Sequence, residues 1–411
     1  MRFGLIYLLQ NPRPWTEDGE ERILNEALDQ VELADRLGFD TVWASEHHFL
    51  DEYSHSSAPE VFLAAAAART TNIRLAHGIV TLPPAVNHPA RIAERIAMLD
   101  LVSGGRVEFG SGQGSTQHEL GAFGVDRATK REQWREAIGV ITRMFTEVPF
   151  TGHQGQWVDM PPRNVLPKPK QKPHPPLWVA CSSPETVETA ARNGVGALSF
   201  AFMTPEEAKE RVETYYRTIE SDDCVPVGKA VNANFAVALP FLCHADEETA
   251  YERAMGGVDF YVNSFMHFYV QGSHHPGTTD LKTEFAKQPP VPPENAARMD
   301  TVVRRGIGTP QKLAEMIRVQ EEAGVDEIIF QVQLGANKHE HICESLELFA
   351  REVMPEFAER REARELAKQD RLAVPVKKAM ERVESPVVDV SDYVIRSDME
   401  EFQRPQHSTG S

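Results

Sequence analysis

The segment Glu46-His47-His48-Phe49 carries the residue types best suited to chemistry in this chain. Near neutral pH a histidine can carry a proton or donate a hydrogen bond to a reacting group. A short apolar run precedes the segment, so its polar side chains would lie at the end of a strand, where buried polar groups need partners or a ligand. The alternative is a histidine that packs here with its ring nitrogens satisfied by the protein.

Two further segments are suited to holding a ligand. Gly110-Ser111-Gly112-Gln113-Gly114-Ser115 alternates three glycines, so its backbone could pass close to a flat or phosphorylated ligand without Cβ clashes. A tight turn is the alternative for this segment. Cys181-Ser182-Ser183-Pro184-Glu185 places a serine before a proline, which predicts a helix N-cap. The same geometry presents free N–H groups and a positive dipole end to an anion.

Eight short β-rich runs alternate with helical periodicities. The runs are Phe3 to Leu9, Thr41 to Ser45, Ile73 to Leu82, Arg106 to Phe109, Leu177 to Cys181, Ala197 to Phe202, Asn234 to Leu242 and Glu327 to Val332. Most are apolar throughout, which is typical of parallel strands covered on both faces. Strands that alternate with helices predict right-handed βαβ units, and eight such units close an α/β (β/α)8 TIM barrel. A doubly wound sheet would need GxGxxG after the first strand, where the sequence has Gln10-Asn11-Pro12.

The first and last barrel helices follow from apolar spacing. The first carries Ile23, Ala27, Val31, Ala34 and Leu37, and we expect it to begin at a Thr16 cap and to end at Gly38. The last carries Ile342, Leu346, Phe349 and Val353 before Pro355.

Three stretches interrupt this repeat. Residues 148–176 are irregular and rich in proline and lysine, which indicates an extended connection into the fifth strand. Residues 259–300 combine aromatic side chains with a His-Pro-Gly loop and a proline-rich run, which favours an active-site cover over simple packing of a helix on the barrel or at a subunit interface. We therefore predict a barrel over residues 1–355. Residues 356–411 form a charged extension that is partly disordered or packed on a neighbouring subunit.

The composition narrows the range of partners and compartments. The 411 residues carry 43 Lys+Arg and 61 Asp+Glu, a net charge of −18, which disfavours binding to nucleic acid or anionic membranes. The longest apolar run, Val61 to Ala68, is too short to span a bilayer. Four scattered cysteines without a CxxC pair indicate a reducing compartment, and the first apolar run lacks a cleavage site. We predict a soluble, cytoplasmic protein.

A metal-dependent barrel hydrolase is the main alternative class of enzyme. It would need His-x-His after the first strand, further histidines after the fifth and sixth, and an aspartate after the eighth. The corresponding segments are Leu8-Leu9-Gln10, Cys181-Ser182-Ser183, Phe200-Ala201-Phe202 and Gln331-Val332-Gln333. No ligand set converges, so we predict no metal site. His274-His275 and His339-Glu340-His341 are expected to be solvated.

The segments Gly38-Phe39-Asp40-Thr41-Val42-Trp43 and Glu46-His47-His48-Phe49 resemble the second strand of the bacterial luciferase-like, flavin-dependent monooxygenases. Other matches follow in order over residues 1–355: Leu82-Pro83 with His88-Pro89, Leu99-Asp100 with Ser103-Gly104-Gly105-Arg106, Phe109-Gly110 with Phe123-Gly124, Gly306-Ile307-Gly308-Thr309-Pro310, and Ala323-Gly324-Val325-Asp326. The resemblance implies a TIM barrel that binds reduced FMN (FMNH2), whose reaction with O2 gives a C4a-(hydro)peroxyflavin that oxygenates a small organic substrate.

The resemblance also implies partners and catalytic residues. His47 matches the catalytic histidine of the family, with His48 beside it, and would move a proton or hold a substrate carbonyl. The chain has no second nucleotide fingerprint, so a separate NAD(P)H:flavin reductase would supply the reduced flavin. The family is commonly dimeric, which implies a homodimer.

The flavin site is likewise implied by motif position. Cys181, Ser182 and Ser183 match the phosphate-binding turn before the fifth helix, and Gly112 and Gln113 lie where the family approaches the flavin phosphate. Gly78-Ile79 falls where the family has a non-prolyl cis peptide beneath the flavin ring.

The sequence departs from the luciferases at three of the matched positions. Gly112 replaces a reactive cysteine, Gln113 an arginine and Phe200 a tryptophan, so light emission from a long-chain aldehyde is not expected. Two alternatives stay open: hydride transfer with the deazaflavin F420, and a flavin-binding subunit without catalytic activity. The Glu46-His47-His48-Phe49 motif favours FMN over F420 as the cofactor.

Overall fold

Eight parallel strands close into a barrel in a computed structural model that describes residues 1–200, 203–287, 302–384 and 388–395. The strands are β1 (Arg2–Tyr7), β2 (Thr41–Ala44), β3 (Arg74–His77), β4 (Val107–Gly112), β5 (Leu177–Cys181), β6 (Gly196–Phe200), β7 (Phe235–Pro240) and β8 (Glu327–Gln331). Each pairs with the next along the chain, and β8 pairs with β1, where Leu5 lies opposite Phe330. The predicted (β/α)8 barrel is confirmed.

Successive side chains of each strand face the barrel interior and the helix layer in turn. On β5, Leu177, Val179 and Cys181 belong to the core between strands and helices, whereas Trp178 lies inside the barrel. The interior is filled by Ile6, Trp43, Ala76, Trp178, Leu198, Ala236, Ala238 and Ile329, and Ile79 and Phe200 pack on this cluster half-buried. The barrel is therefore a packed core, and a ligand can bind only at one of its ends.

The helices surround this barrel. They are α1 (Gly19–Leu37), α2 (Pro59–Arg69), α3 (Pro89–Val102), α4 (Gln117–Ala122), α5 (Lys130–Thr146), α6 (Pro184–Arg192), α7 (Pro205–Ile219), α8 (Glu247–Met266), α9 (Leu281–Ala286), α10 (Pro310–Glu322), α11 (His339–Glu352) and α12 (Met354–Glu381). As expected, α1 ends where Gly38 takes a left-handed conformation, with φ 86°. The Thr16 cap was wrong: α1 begins at Gly19, and Thr16 only accepts the Gly19 N–H through its carbonyl.

Two predicted strands are interrupted by local bends. The run Ile73 to Leu82 divides into β3 and a short strand at Val80–Thr81, because Gly78 donates its N–H to the Ala44 carbonyl at 2.6 Å. The run Asn234 to Leu242 likewise divides at Phe241, after which Leu242–Cys243 pairs with Ile307–Gly308. Residues 201–202, predicted to end the sixth strand, lie outside the described residues.

Hydrogen bonds just beyond the C-terminal ends of β1 and β8 connect the first strand of the barrel to the last. The backbone N–H of Gln10 donates to Gln333 Oε1 at 2.8 Å, and Gln333 Nε2 donates to the Gln10 carbonyl at 2.9 Å. The Gly335 N–H completes the link by donating to Gln10 Oε1 at 2.7 Å. All three residues are buried, so these bonds close the barrel without help from solvent.

The two insertions have different structures. Residues 148–176 are irregular, as predicted, apart from a two-residue hairpin of His153–Gln154 and Asp159–Met160. The second insertion continues α8 into a π-helical turn at His267–Gln271 and then into α9. Its predicted proline-rich part lies in residues 288–301, outside the described residues.

Most of the described part of the C-terminal extension is a helix, while its partial disorder and its contact with a neighbouring subunit stay predictions. In its described part, α12 packs against the N-terminal ends of this chain's own strands, a surface we call the base, with Phe357, Leu372 and Ala379 buried. Arg361 pairs with Asp40 and Lys368 with Asp326, both of which precede barrel strands. A charge-rich helix can dock this way because its partners are acidic loop residues. Residues 396–411 lie outside the described part. In the described ranges, no helix has the length and apolar character needed to span a membrane.

Candidate active site

A half-buried histidine and a buried carboxylate pair at the C-terminal ends of the strands, a surface we call the mouth. His47 follows β2, and its Nδ1 lies 3.0 Å from Oε1 of Glu119 on α4. The same oxygen accepts the backbone N–H of His48 at 3.1 Å, and Glu119 Oε2 accepts the Thr116 hydroxyl at 2.6 Å. Because Glu119 is 6% exposed and holds Nδ1, the orientation of the imidazole is fixed and Nε2 is the nitrogen available for proton transfer.

His48 is held by a second buried carboxylate. Its Nε2 lies 3.0 Å from Oε1 of Glu46, which also accepts an amide hydrogen of Asn87 at 2.7 Å. Glu46 Oε2 accepts the backbone N–H of Thr81 at 3.0 Å. The two adjacent imidazoles therefore point to different acids, and only the His47 pair reaches across to α4.

These contacts shift the pKa values of Glu119 and His48. Burial opposes charge on Glu119, but His47, the Thr116 hydroxyl and the His48 N–H together lower the pKa of Glu119 below its usual range. The hydrogen bond to Glu46 raises the pKa of His48 in spite of burial. At neutral pH Glu119 is thus an ionised acceptor for Nδ1–H of His47.

Tyrosine and phenylalanine side chains surround His47 on the side of the second insertion. The ring of Tyr53 lies 5.6 Å from the His47 ring, and the rings of Tyr261, Phe268 and Tyr269 lie within 6.2 Å of Tyr53. Burial raises the pKa of Tyr53 well above its usual value, with Tyr269 and Tyr261 adding to the effect. The second insertion therefore contributes three aromatic rings that pack around Tyr53, and its role as a cover over the substrate stays a prediction.

The insertion is fastened to the mouth by hydrogen bonds to two acids. Asp51 Oδ2 lies 3.2 Å from His274 Nε2 and accepts the Gly277 N–H at 3.0 Å. His274 Nδ1 in turn lies 3.2 Å from His267 Nε2. Glu52 accepts the N–H of Leu281 at 2.9 Å. His274 was expected to be solvated, but its side chain is 1% exposed, so that expectation was wrong. No group of three or more possible metal ligands is found within the described ranges.

The glycine-rich segment of β4 makes room for protein atoms. A Cβ on Gly112 would lie 2.2 Å from Cδ1 of Ile79, and a Cβ on Gly110 would lie 2.0 Å from the His77 carbonyl oxygen. Gly112 is therefore buried beneath Ile79, and Ile79 is the residue of this pair that can meet a ligand at the mouth. Gly78 makes a similar close approach, since its Cβ would lie 3.0 Å from the Ala44 carbonyl. The cis peptides of the described residues all precede proline, so the predicted cis bond at Gly78-Ile79 is not present.

The predicted phosphate-binding turn is only partly available. Cys181 is fully buried in the strand–helix core, its thiol lies 3.4 Å from the Thr186 carbonyl, and burial raises its pKa to about 12, so its side chain does not face a ligand. Ser183 caps α6 by accepting the Thr186 N–H at 3.3 Å. Ser182 is exposed and leaves its hydroxyl at the N-terminal end of this helix.

Two cations at the start of α5, neither of which was predicted from the sequence, contact the two predicted ligand segments. Lys130 Nζ donates to the Gly114 carbonyl at 2.7 Å, next to half-buried Gln113. Arg131 pairs with Glu185 in the first turn of α6. Burial lowers the pKa of Lys130, and the nearby arginines Arg127 and Arg131 add to this. Positive charge therefore lies between the β4 loop and the α6 N-terminus.

Glu119 was also missed, although a signal for its helix exists. Thr116-Gln117-His118-Glu119 has the spacing of a capping box, and Thr116 Oγ1 does accept the Glu119 N–H at 3.1 Å. In the usual capping box, the side chain of the acid also accepts the backbone N–H of the N-cap residue. Here Glu119 binds His47 and His48, and no local pattern predicts a partner 72 residues away.

Comparison with known proteins agrees with this architecture. Residues 1–327 match the luciferase-like monooxygenase family. The chain belongs to this family. It is 27% identical to the oxygenase component of the flavin-dependent trigonelline monooxygenase of Acinetobacter baylyi, over 87% of this chain and 96% of that protein.

Two solved structures share the fold of this luciferase-like family member. The monooxygenase RslO1 of Streptomyces bottropensis superposes with a TM-score of 0.71 at 26% identity, covering 87% of this chain and all of that one. The oxygenating constituent of 3,6-diketocamphane monooxygenase of Pseudomonas putida, in complex with FMN, superposes with a TM-score of 0.68 at 22% identity, over 86% and 98%. The resemblance stated from the motifs is confirmed, and the chain is an oxidoreductase of this family.

Proposed function

We propose that this protein is the oxygenase component of a two-component monooxygenase, which uses FMNH2 from a separate NAD(P)H:flavin reductase and O2 to oxygenate a small organic substrate. The observation that carries the proposal is the Glu119–His47 pair at the mouth, in a chain related to flavin-dependent oxygenase components. We expect a cytoplasmic homodimer, as the sequence analysis predicted.

The residues at the mouth fit a reduced flavin mononucleotide. Ile79 and Phe200, half-buried above the interior cluster, offer an apolar surface for the ring system. Ser182, the α6 N-terminus and the amine of Lys130 supply the donors and the positive charge that a phosphate requires. Lys130 compensates for the neutral side chain of Gln113. When bound, the flavin supplies the activation of O2.

The protein's own residues position the ligands and transfer a proton at Nε2 of His47. Glu119 accepts Nδ1–H of His47, so Nε2 is a proton acceptor in the neutral imidazole and a donor in the imidazolium. The interior cluster closes the barrel below the site, and Tyr53, backed by the rings of Phe268 and Tyr269, covers one side of His47. His48 holds Glu46 in place, and its ring packs against Phe123.

The test is anaerobic titration with FMNH2, followed by mixing with air-saturated buffer. The wild-type protein should bind FMNH2 and return it to oxidised FMN more slowly than free FMNH2 does. His47→Ala should retain binding but change this reoxidation rate, and later the turnover of a substrate, by about 10²-fold or more. His341→Ala on α11 is the control and should behave as wild type.

Three outcomes would overturn the proposal. A protein that neither binds FMNH2 nor alters its oxidation is not an FMNH2-dependent oxygenase. Tighter binding of F420 than of FMN, with turnover that needs no oxygen, would assign it to deazaflavin hydride transfer. Flavin binding that is indifferent to His47→Ala in both assays would make it a non-catalytic binding subunit.

A further inference from the structure

Three imidazoles lie together where the second insertion meets the mouth. His267 is 2% exposed, and its ring lies 5.4 Å from that of His274. The ring of His118, on α4, lies 5.5 Å from that of His274. Phe268 contacts all three rings, with centroids between 5.0 and 5.3 Å apart. We call His118, His267 and His274 the imidazole cluster. Because it packs around an apolar ring, its surroundings disfavour the charged form of each imidazole.

The hydrogen bonds within the cluster require a neutral His274. An ionised carboxylate only accepts, so Nε2 of His274 donates to Asp51 at 3.2 Å and Nδ1 of His274 remains an acceptor. Nε2 of His267 donates to that Nδ1 at 3.2 Å. A proton added to Nδ1 of His274 turns this acceptor into a donor. The link between the two rings is then lost.

The cluster has few acids to balance its charge if it is protonated. Among the residues that the structure describes, Asp51 is the one acid that hydrogen-bonds to it. Glu119 on α4 and Glu284 on α9 also act on the cluster. However, Glu119 already holds His47, and Glu284 already pairs with Lys287 at 2.7 Å. Protonation of more than one ring would therefore place like charges side by side.

Burial and repulsion between rings act in the same direction on two members of the cluster. Burial, and then the neighbouring His274, lower the pKa of both His118 and His267. Nδ1 of His118 is inaccessible to solvent and has no hydrogen-bond partner within the described ranges, so a proton there would lack an acceptor. Tyr53, which packs on Phe268, adds no charge because burial raises its pKa well above the usual value.

The cluster lies among the contacts that fasten the insertion to the barrel. Asp51 accepts the N–H of Gly277 at 3.0 Å, and Glu52 accepts the N–H of Leu281 at 2.9 Å. The backbone between α8 and this loop forms a π-helical turn at His267–Gln271, a local geometry that is frequent at functional sites. Loss of the imidazole contacts would leave this segment attached mainly by a few backbone N–H groups.

We propose that protonation of the imidazole cluster releases residues 267–287 from the mouth, which makes this segment a pH-sensitive lid. A ring released to solvent has the ordinary pKa of 6.5, whereas the closed form resists the proton. Closure is therefore complete above pH 6.5 and weakens as the pH falls below it. Opening withdraws Phe268 and Tyr269 from Tyr53 and so uncovers one side of His47. The lid needs no bound flavin, so its test is independent of the oxygenase function.

The first measurement is hydrogen–deuterium exchange of the flavin-free protein, corrected for the intrinsic effect of pH on exchange. Between pH 6.5 and 5.5, exchange of the Gly277 and Leu281 amides should accelerate by up to about 5-fold if opening takes up one proton, and by up to about 30-fold if it takes up two. The amides of β8 should not accelerate. No acceleration in the lid, or equal acceleration in β8 through acid unfolding of the barrel, would overturn the lid.

The second measurement repeats the exchange with variants. The double variant His118→Gln with His267→Gln keeps polar side chains but removes two titrating rings, so the pH response should fall to about 2-fold or less. Asp51→Asn should act in the opposite direction and open the lid at a higher pH, because it removes the carboxylate that favours protonated rings in the closed form. His275→Gln, at an exposed position in the same loop, is the control and should behave as wild type.

Two results with these variants would overturn the assignment to the imidazole cluster. One is a double variant that responds to pH as the wild type does. The other concerns Glu294 and Asp300, which lie outside the described residues. A response that persists in the double variant but disappears in Glu294→Gln or Asp300→Asn would place the sensor in those acids. Asp51→Asn keeps the test decisive if the double variant does not fold, since unchanged opening in Asp51→Asn would also contradict the lid.

Discussion

Two buried glutamates at the base and two at the mouth are held by different kinds of group. At the base, Glu327 accepts the Trp43 indole N–H at 3.0 Å and pairs with Arg2. Glu108 accepts the Trp178 indole N–H at 2.7 Å and pairs with Arg74 at 2.5 Å. At the mouth the corresponding partners of Glu46 and Glu119 are imidazoles.

The partners of the glutamates at the two ends differ in whether they can change their protonation state. Indole and guanidinium groups do not change their protonation near neutral pH, so the base is a fixed network that only stabilises the fold. An imidazole is the side chain that can gain or lose a proton in that range, and it has a second ring nitrogen besides the one that the acid holds. A buried glutamate thus stabilises the fold at the base, and under the proposed function a residue of the same type supports proton transfer at the mouth.

Removal of an acid from the base should give the largest change in stability. Glu327→Ala leaves the Trp43 N–H, the Thr41 hydroxyl and the Arg2 guanidinium without their acceptor. We expect the free energy of unfolding to fall by about 3–5 kcal/mol, measured by urea denaturation. FMNH2 binding per folded molecule should not change. The exposed neighbour Glu322→Ala is the control, and a loss similar to that of the control would refute a stabilising role for the base network.

Removal of an acid from the mouth should act mainly on chemistry. Glu119→Gln keeps the size of the side chain but no longer holds Nδ1–H of His47 with an ionised acceptor. We expect the reoxidation rate of bound FMNH2 to change by about 10–100-fold, with a loss of unfolding free energy of only about 1–2 kcal/mol. An unchanged reoxidation rate would show that Glu119, like Glu327, has a structural role alone.

The smallest effect concerns pH. The hydrogen bond to Glu46 raises the pKa of His48 above the ordinary value of 6.5, so its stabilisation is complete below pH 6.5 and is lost as the pH rises through the folded-state pKa. Glu46→Gln should lower the His48 pKa, as followed by NMR titration, and should flatten the stability profile above pH 6.5. Glu322→Gln should leave both unchanged. A His48 pKa that does not respond to Glu46→Gln would assign the shift to another group.

The strands and the His47 motif could be predicted from sequence because both are local patterns. Apolar runs identify all eight strands within a few residues, and Glu46-His47-His48-Phe49 follows one of them directly. The alternation along β5 also shows, in retrospect, that Cys181 faces the helices, because it shares a face with Leu177 and Val179.

The missed features depend on contacts between distant parts of the chain. Gly110 and Gly112 have the spacing of a ligand cradle, yet the atoms that approach them come from His77 at the end of β3 and from Ile79 two residues later. The charges of α12 are typical of a solvated segment, and only the folded barrel brings Asp40 and Asp326 to the same surface. A single sequence contains no local signal for such pairs.

The closure of the barrel by hydrogen bonds between Gln10 and Gln333 has a consequence for biosynthesis. One edge of β1 pairs with β8, the last strand of the barrel. During synthesis this edge therefore stays unpaired until almost the entire barrel sequence has left the ribosome. Closure of such a long loop is a late and slow event, and the nascent chain meanwhile exposes apolar strands to other molecules. Yield in heterologous expression should therefore depend more on translation rate, temperature and chaperone supply than on the stability of the finished molecule.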